Sequence, residues 1–175
     1  MKNAGKLLLI LLIATASAFQ SYGQKGVEDG SRFGHGEDSI RCLTNLSLYV
    51  EFFKQNNYED AVRPWTIVYN ECPRATKNIY LHGEDMLTDA IENAEDADRK
   101  KVLLDSLMGL YDKRIKYFNQ EGFVLGKKGL DFIQYSENTI ENFKKGYDWL
   151  KKSIELRGKE SIMAVLVVYL NTTST

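Results

Sequence analysis

The chain has 175 residues, with 23 Lys+Arg against 24 Asp+Glu and a formal net charge of -1. That length suits one domain, burying about two-thirds of its unfolded surface, and a composition 43% hydrophobic and 27% charged is globular. The balanced charge argues against a nucleic-acid partner, which calls for a basic face. Two cysteines are too few for a disulfide scaffold or a four-cysteine metal site.

Lys2 and Lys6 open the chain, an apolar run covers Leu7 to Ile13, and small residues lie at Ala16 to Ala18. These are the three parts of a secretory signal peptide, assigned to residues 1–23 with cleavage after Ala18 or Gly23. Even drawn from Leu7 to Phe19 the apolar stretch has 13 residues, against about 20 needed to span a bilayer. The mature chain is therefore expected to hold no stable transmembrane segment. No cysteine follows the run to take a lipid. The expected location is the periplasm or the periplasmic face of the outer membrane, with secretion as the alternative.

Residues 24–38, rich in Gly, Ser and charge without periodicity, read as a flexible leader. Residues 39–171 read as helices. Leu43, Leu46, Tyr49, Val50 and Phe53 mark the first, capped by Asp38 or Ser39. Tyr58, Ala61, Val62, Trp65, Val68 and Tyr69 mark the second, which contains Pro64 and ends at Cys72-Pro73. A third is expected over about 76–93 and a fourth over about 98–118, the latter with Val102, Leu104, Leu107, Met108, Tyr111, Ile115 and Phe118 inward. Asn119 to Gly129 reads as a Gly-rich connection and Leu130 to Tyr135 as a short fifth helix. The sixth starts near Asn138 or Thr139, carries Ile140, Phe143, Tyr147, Leu150 and Ile154, and stops at Gly158. Ser161 to Leu170 forms a seventh, apolar on nearly every side. No run alternates like a strand, so the class is all-α.

Within Leu48 to Pro73 the pattern is more specific. Leu48, Phe52, Tyr58, Ala61, Trp65 and Pro73 stand where a tetratricopeptide repeat has its first-helix Leu, aromatic, aromatic, small residue, aromatic and terminal Pro. Gly83, 34 residues after Tyr49, takes the small position of a following unit, and Tyr111 is a packing aromatic further on. Tyr49 and Asn45 depart from the usual small residue and Trp. The words VRPWTIVYNECP, KNIYLHG and KVLLDSLMGLYDKRIKYF resemble the N-terminal part of exported tetratricopeptide proteins of Bacteroidetes-type bacteria, over about Ser39 to Tyr169. The resemblance implies antiparallel helix hairpins stacked as a short right-handed solenoid, and a scaffold without catalytic residues. Because a repeat helix must bury its apolar face on a neighbour, the seventh helix reads as the edge of an incomplete array or a self-association face.

Cys42 opens helix one and Cys72 closes helix two, so a hairpin sets them at one end; a bridge is a candidate, but two reduced, partly buried cysteines are favoured because adjacent helix axes stand about 8–10 Å apart. His35-Gly-Glu37-Asp38 and His82-Gly-Glu84-Asp85 repeat one tetrad, with too few ligands at either place for a metal site, so no metal is assigned. Gly122 to Gly129 is one residue short of a phosphate-binding loop and lacks the Ser or Thr after its Lys. Glu84, Asp85, Asp89 and Glu92 read as a solvated acidic face. The aromatics read mainly as repeat packing, with Tyr80 on the inward stripe of the third helix; Tyr80 and Trp149 are also the candidate binding aromatics. The function expected is a non-enzymatic scaffold binding a protein or peptide, with no catalytic residue and no cofactor. The rival is a periplasmic glycan-associated accessory or hydrolase, which needs Trp149 in a pocket with two carboxylates.

Overall fold

A computed structural model of the chain describes residues 30–161 and 165–168. The expected signal peptide, the start of the leader, and most of the expected seventh helix lie outside these residues. Among the described residues the structure is all-helical. Six helices follow one another: α1 (Glu37–Lys54), α2 (Tyr58–Glu71), α3 (Asn78–Glu92), α4 (Ala97–Phe118), α5 (Glu121–Tyr135) and α6 (Ile140–Arg157), then a 3-10 turn at Gly158–Glu160. Each packs chiefly on its neighbours in sequence, as antiparallel pairs joined by short turns.

The starts of these helices are written in local chemistry. The Asn57 side chain accepts from the Asp60 amide, Asp96 from Arg99 and Thr139 from Asn142, each satisfying an amide that a first turn leaves unpaired. α1 differs from expectation: it begins at Glu37 behind Gly36, without a side-chain cap from Asp38 or Ser39. The segment before it touches the core, since Arg32 Nη2 donates to the Ala75 carbonyl at 2.7 Å and Phe33 packs on buried residues. α2 runs through Pro64 as one helix, with the ring buried.

The largest departure is at residues 119–129. The expected loop is only the turn Asn119–Gln120, both at positive φ, and α5 starts at once. Its glycines are packing residues. A Cβ on Gly129 would stand 2.6 Å from Leu150 Cδ2 and 2.9 Å from the Gly146 carbonyl oxygen; one on Gly122 would meet Leu156 and Arg157. Gly146 of α6 is held equally close by Ile133. Glycine costs helix propensity of about 1 kcal/mol per residue, but here it lets α5 and α6 approach almost backbone to backbone. Ser153 locks the approach by donating to the Gly122 carbonyl at 2.6 Å.

The main core gathers Tyr49, Ala61, Trp65, Val68, Ile79, Tyr80, Leu107, Leu110 and Tyr111 from α1 to α4. Trp65 Nε1 donates to the Ile79 carbonyl at 2.8 Å, tying α2 to α3. Cys42 and Cys72 are joined in a disulfide, with Cα atoms 6.3 Å apart. This replaces the favoured reduced pair: at the hairpin's open end the chains draw closer than mid-helix axes do.

Candidate functional site

Expected packing residues separate into two groups. Ala61, Trp65, Pro73, Gly83 and Tyr111 are buried, and Phe52 and Tyr58 are half-buried against the core. Leu48 corrects the expectation. It is 45% exposed, because the residues that α1 buries are Cys42, bridged to α2's end, and Tyr49, edge-on to His82 of α3, and Leu48 is not among them. Tyr49, which departs from the usual small residue, is fully buried, with burial pushing its hydroxyl pKa up.

Tyr80 keeps its inward packing place and loses only its candidate binding role. Its ring is fully buried against Tyr69 and Phe118, and its hydroxyl donates to the Pro73 carbonyl at 3.0 Å, so it closes the α2–α3 turn and offers no binding face. Trp149 is half-buried, edge-on to Phe132 at 5.2 Å, with the ammonium groups of Lys128 and Lys145 at 4.4 and 5.4 Å from its ring. Ile140 and Val102, expected inward, are exposed, Ile140 at 91%. Ile140 is the first residue of α6, and the α6 residues buried on the neighbouring structure are Gly146, Leu150 and Ser153.

The acidic face is corrected at one residue: Asp85, Asp89 and Glu92 are exposed as expected, and Glu84 is not. Glu84 is buried and ion-paired with Lys127 of α5, and its other oxygen faces Arg114 Nη1 of α4 across 3.8 Å. Arg114 is 2% exposed, and burial lowers its pKa. Next to them the Tyr111 hydroxyl donates to Asp131, whose carboxyl pKa burial raises. Five polar side chains from three helices thus meet in one ionic knot. The signal was present in the sequence: Arg114 falls three residues after Tyr111, on the inward stripe of α4. His82, the other half of the repeated tetrad's chemistry, stacks on Phe53 at 3.9 Å between centroids, and burial lowers its pKa. No cluster of metal-ligating side chains occurs among the described residues, and no described helix is long and apolar enough to cross a membrane.

A groove of about 440 Å³, to which no motif in the sequence points, has room for a ligand. The first turns of α4, the last turn of α5 and the first turns of α6 enclose it. Leu104, Phe132 and Tyr135 supply its apolar part; Lys100, Lys101 and Lys145 alternate with Asp105, Glu137 and Glu141 along its edges. Tyr135 is fixed by donating to Glu92 Oε1 at 2.6 Å, and Lys145 lies 4.8 Å from the Phe132 ring. Thus aromatic faces, charges of both signs and the helix-cap hydroxyl of Thr139 converge on one open cleft. Neither Trp149 nor Asp131 is among its lining residues.

Comparison with family models, with curated proteins and with solved structures gives no match in any of the three.

Proposed function

We propose that the chain is a non-enzymatic scaffold module that holds a protein or peptide segment in the α4–α5–α6 groove. The observation that carries this reading is the groove's lining: an apolar strip of Leu104, Phe132 and Tyr135 bordered by three lysines and three carboxylates. A polypeptide presents the same mixture of apolar side chains, amides and both charges, and interfaces use aromatic anchors inside a polar rim. The hydrolase reading is less well served. It needs a carboxyl group of raised pKa beside Trp149 in a cleft, whereas Asp131 is occupied by Tyr111 and lies outside the groove lining.

On this reading the hairpins belong to a tetratricopeptide-like array in an exported protein of the bacterial envelope. The burial of Ala61 and the close helix approach at Gly83 support the repeat plan, and residues 1–23 together with a disulfide, a bond kept in oxidising compartments, support export. The test is selection of peptides from a displayed library against the full chain, repeated with Lys101→Glu and Lys145→Glu in the groove. Selected peptides should lose affinity for both variants. Peptides that bind the variants equally well, or are cleaved by the chain, would defeat the reading.

A further inference from the structure

A second surface lies at the opposite end of the helices from the groove, where α2 and α4 end and the turn into α3 begins. Lys113 Nζ stands 3.8 Å from the Tyr69 ring centroid and donates to the Tyr69 carbonyl at 2.6 Å. Lys116 Nζ and Arg74 Cζ both stand over Tyr117, at 5.2 and 5.7 Å. Three cations from two separate elements therefore surround two half-buried tyrosines. The carboxylates that could neutralise them are committed elsewhere. Glu71 makes a two-pronged pair with Arg41, at 2.6 and 2.8 Å, and Asp112 pairs with Lys128. Among the described residues no ion pair reaches Arg74, Lys113 or Lys116.

The surface is also held in place. The Cys42–Cys72 bridge, the Tyr80 hydrogen bond to the Pro73 carbonyl and the Arg32 hydrogen bond to the Ala75 carbonyl fix the turn that carries Arg74. A preorganised surface loses little freedom on binding.

The geometry points to this surface as a docking site for an acidic polypeptide segment, its carboxylates set between Arg74, Lys113 and Lys116 and its backbone laid across Tyr69 and Tyr117. Charge complementarity selects the class of partner. The cations repel one another and lack carboxylates of their own, so an arriving carboxylate gains a charge-assisted hydrogen bond without breaking an existing pair. Burial and the nearby Lys116 charge already push the Lys113 pKa down to about 8, and a bound anion would reverse that push. A long polyanion such as nucleic acid, or an anionic bilayer, would also meet the rest of a chain that carries 24 acidic residues against 23 basic ones. A short acidic segment engages the patch alone. This inference is independent of the groove, which shares none of these residues.

The experiment is fluorescence anisotropy with the purified full chain, its disulfide formed, and a labelled Asp/Glu-rich peptide. Binding should weaken about tenfold, or 1.4 kcal/mol, in an Arg74→Ala, Lys116→Ala double variant, and should weaken as salt rises. Both side chains are exposed, so the variant should fold; a thermal melt checks this, and Tyr117→Leu supplies a second probe that leaves the cations in place. In the wild type, the Lys113 amine followed by NMR should titrate at higher pH with the peptide bound. Lys145→Glu in the groove should leave this peptide's affinity unchanged. Equal binding by the double variant, an unmoved Lys113 titration, or tighter binding of a single-stranded oligonucleotide or of anionic phosphatidylglycerol vesicles than of the peptide would overturn the proposal.

Discussion

Gly83 of α3 lies directly against the indole of Trp65 on α2: a Cβ at Gly83 would stand 2.5 Å from Trp65 Cζ2 and 2.6 Å from Leu110 Cδ1. Three helices are pinned at this point, since Trp65 also donates to the Ile79 carbonyl. Gly83→Ala should therefore destabilise the chain by about 1–3 kcal/mol through overpacking, despite alanine's better helix propensity. Gly109 on α4 is the control. It has open space around its Cα, and Gly109→Ala should stabilise by about 0.5–1 kcal/mol. Urea denaturation of both variants checks the pair of signs.

How far the sequence led is clear from these same helices. Apolar stripes with three- and four-residue steps placed five of the six helices and only the end of α5, and the hairpin geometry placed the two cysteines at one end. The glycines of α5 misled because low helix propensity and close packing leave the same residue in the chain; only the spacing Gly122, Gly126, Gly129, one face of a helix, separates them. Leu48 misled for another reason. A repeat register places residues relative to an ideal neighbour, whereas α1 has a partner chiefly on one side. The groove was not legible, because its lining comes from two stretches, 97–105 and 132–145, that only the packing of the helices brings together.

The Cys42–Cys72 bridge closes a loop of sequence separation 30. Replacing both cysteines by serine should lower stability by about 2–4 kcal/mol. Reductant should lower the melting temperature of the wild type and leave that of the variant unchanged.

Glu84 supplies the negative charge that faces buried Arg114. Glu84→Leu should cost about 3 kcal/mol, because it leaves a guanidinium in the interior without a counter-charge. Adding Arg114→Leu should recover part of that loss, since an apolar pair needs no counter-charge. A double-mutant cycle by chemical denaturation measures the coupling; strict additivity would show that the two groups do not interact.

His82 is half-buried beside Phe53, and that burial lowers its pKa from the ordinary 6.5. The unfolded chain then binds the proton more tightly, so the contribution of neutral His82 is complete above 6.5 and is lost as pH falls below it. Asp131 acts in the other direction: its raised pKa costs stability as pH rises from the ordinary 3.8 through the folded value. Acidification moves the two contributions in opposite directions, so single variants are needed to separate them. Compared with His82→Phe, the wild type should lose stability on acidification below 6.5, and Asp131→Asn should gain it at neutral pH.

The groove is the centre of the functional account, and amide hydrogen exchange on the full chain, with and without a peptide selected against it, tests it most directly. Slowed exchange should be concentrated at the start of α4, the end of α5 and the start of α6, around Lys100–Asp105, Phe132–Glu137 and Thr139–Lys145. Protection elsewhere with these segments unchanged, or release of peptide fragments during the measurement, would contradict it.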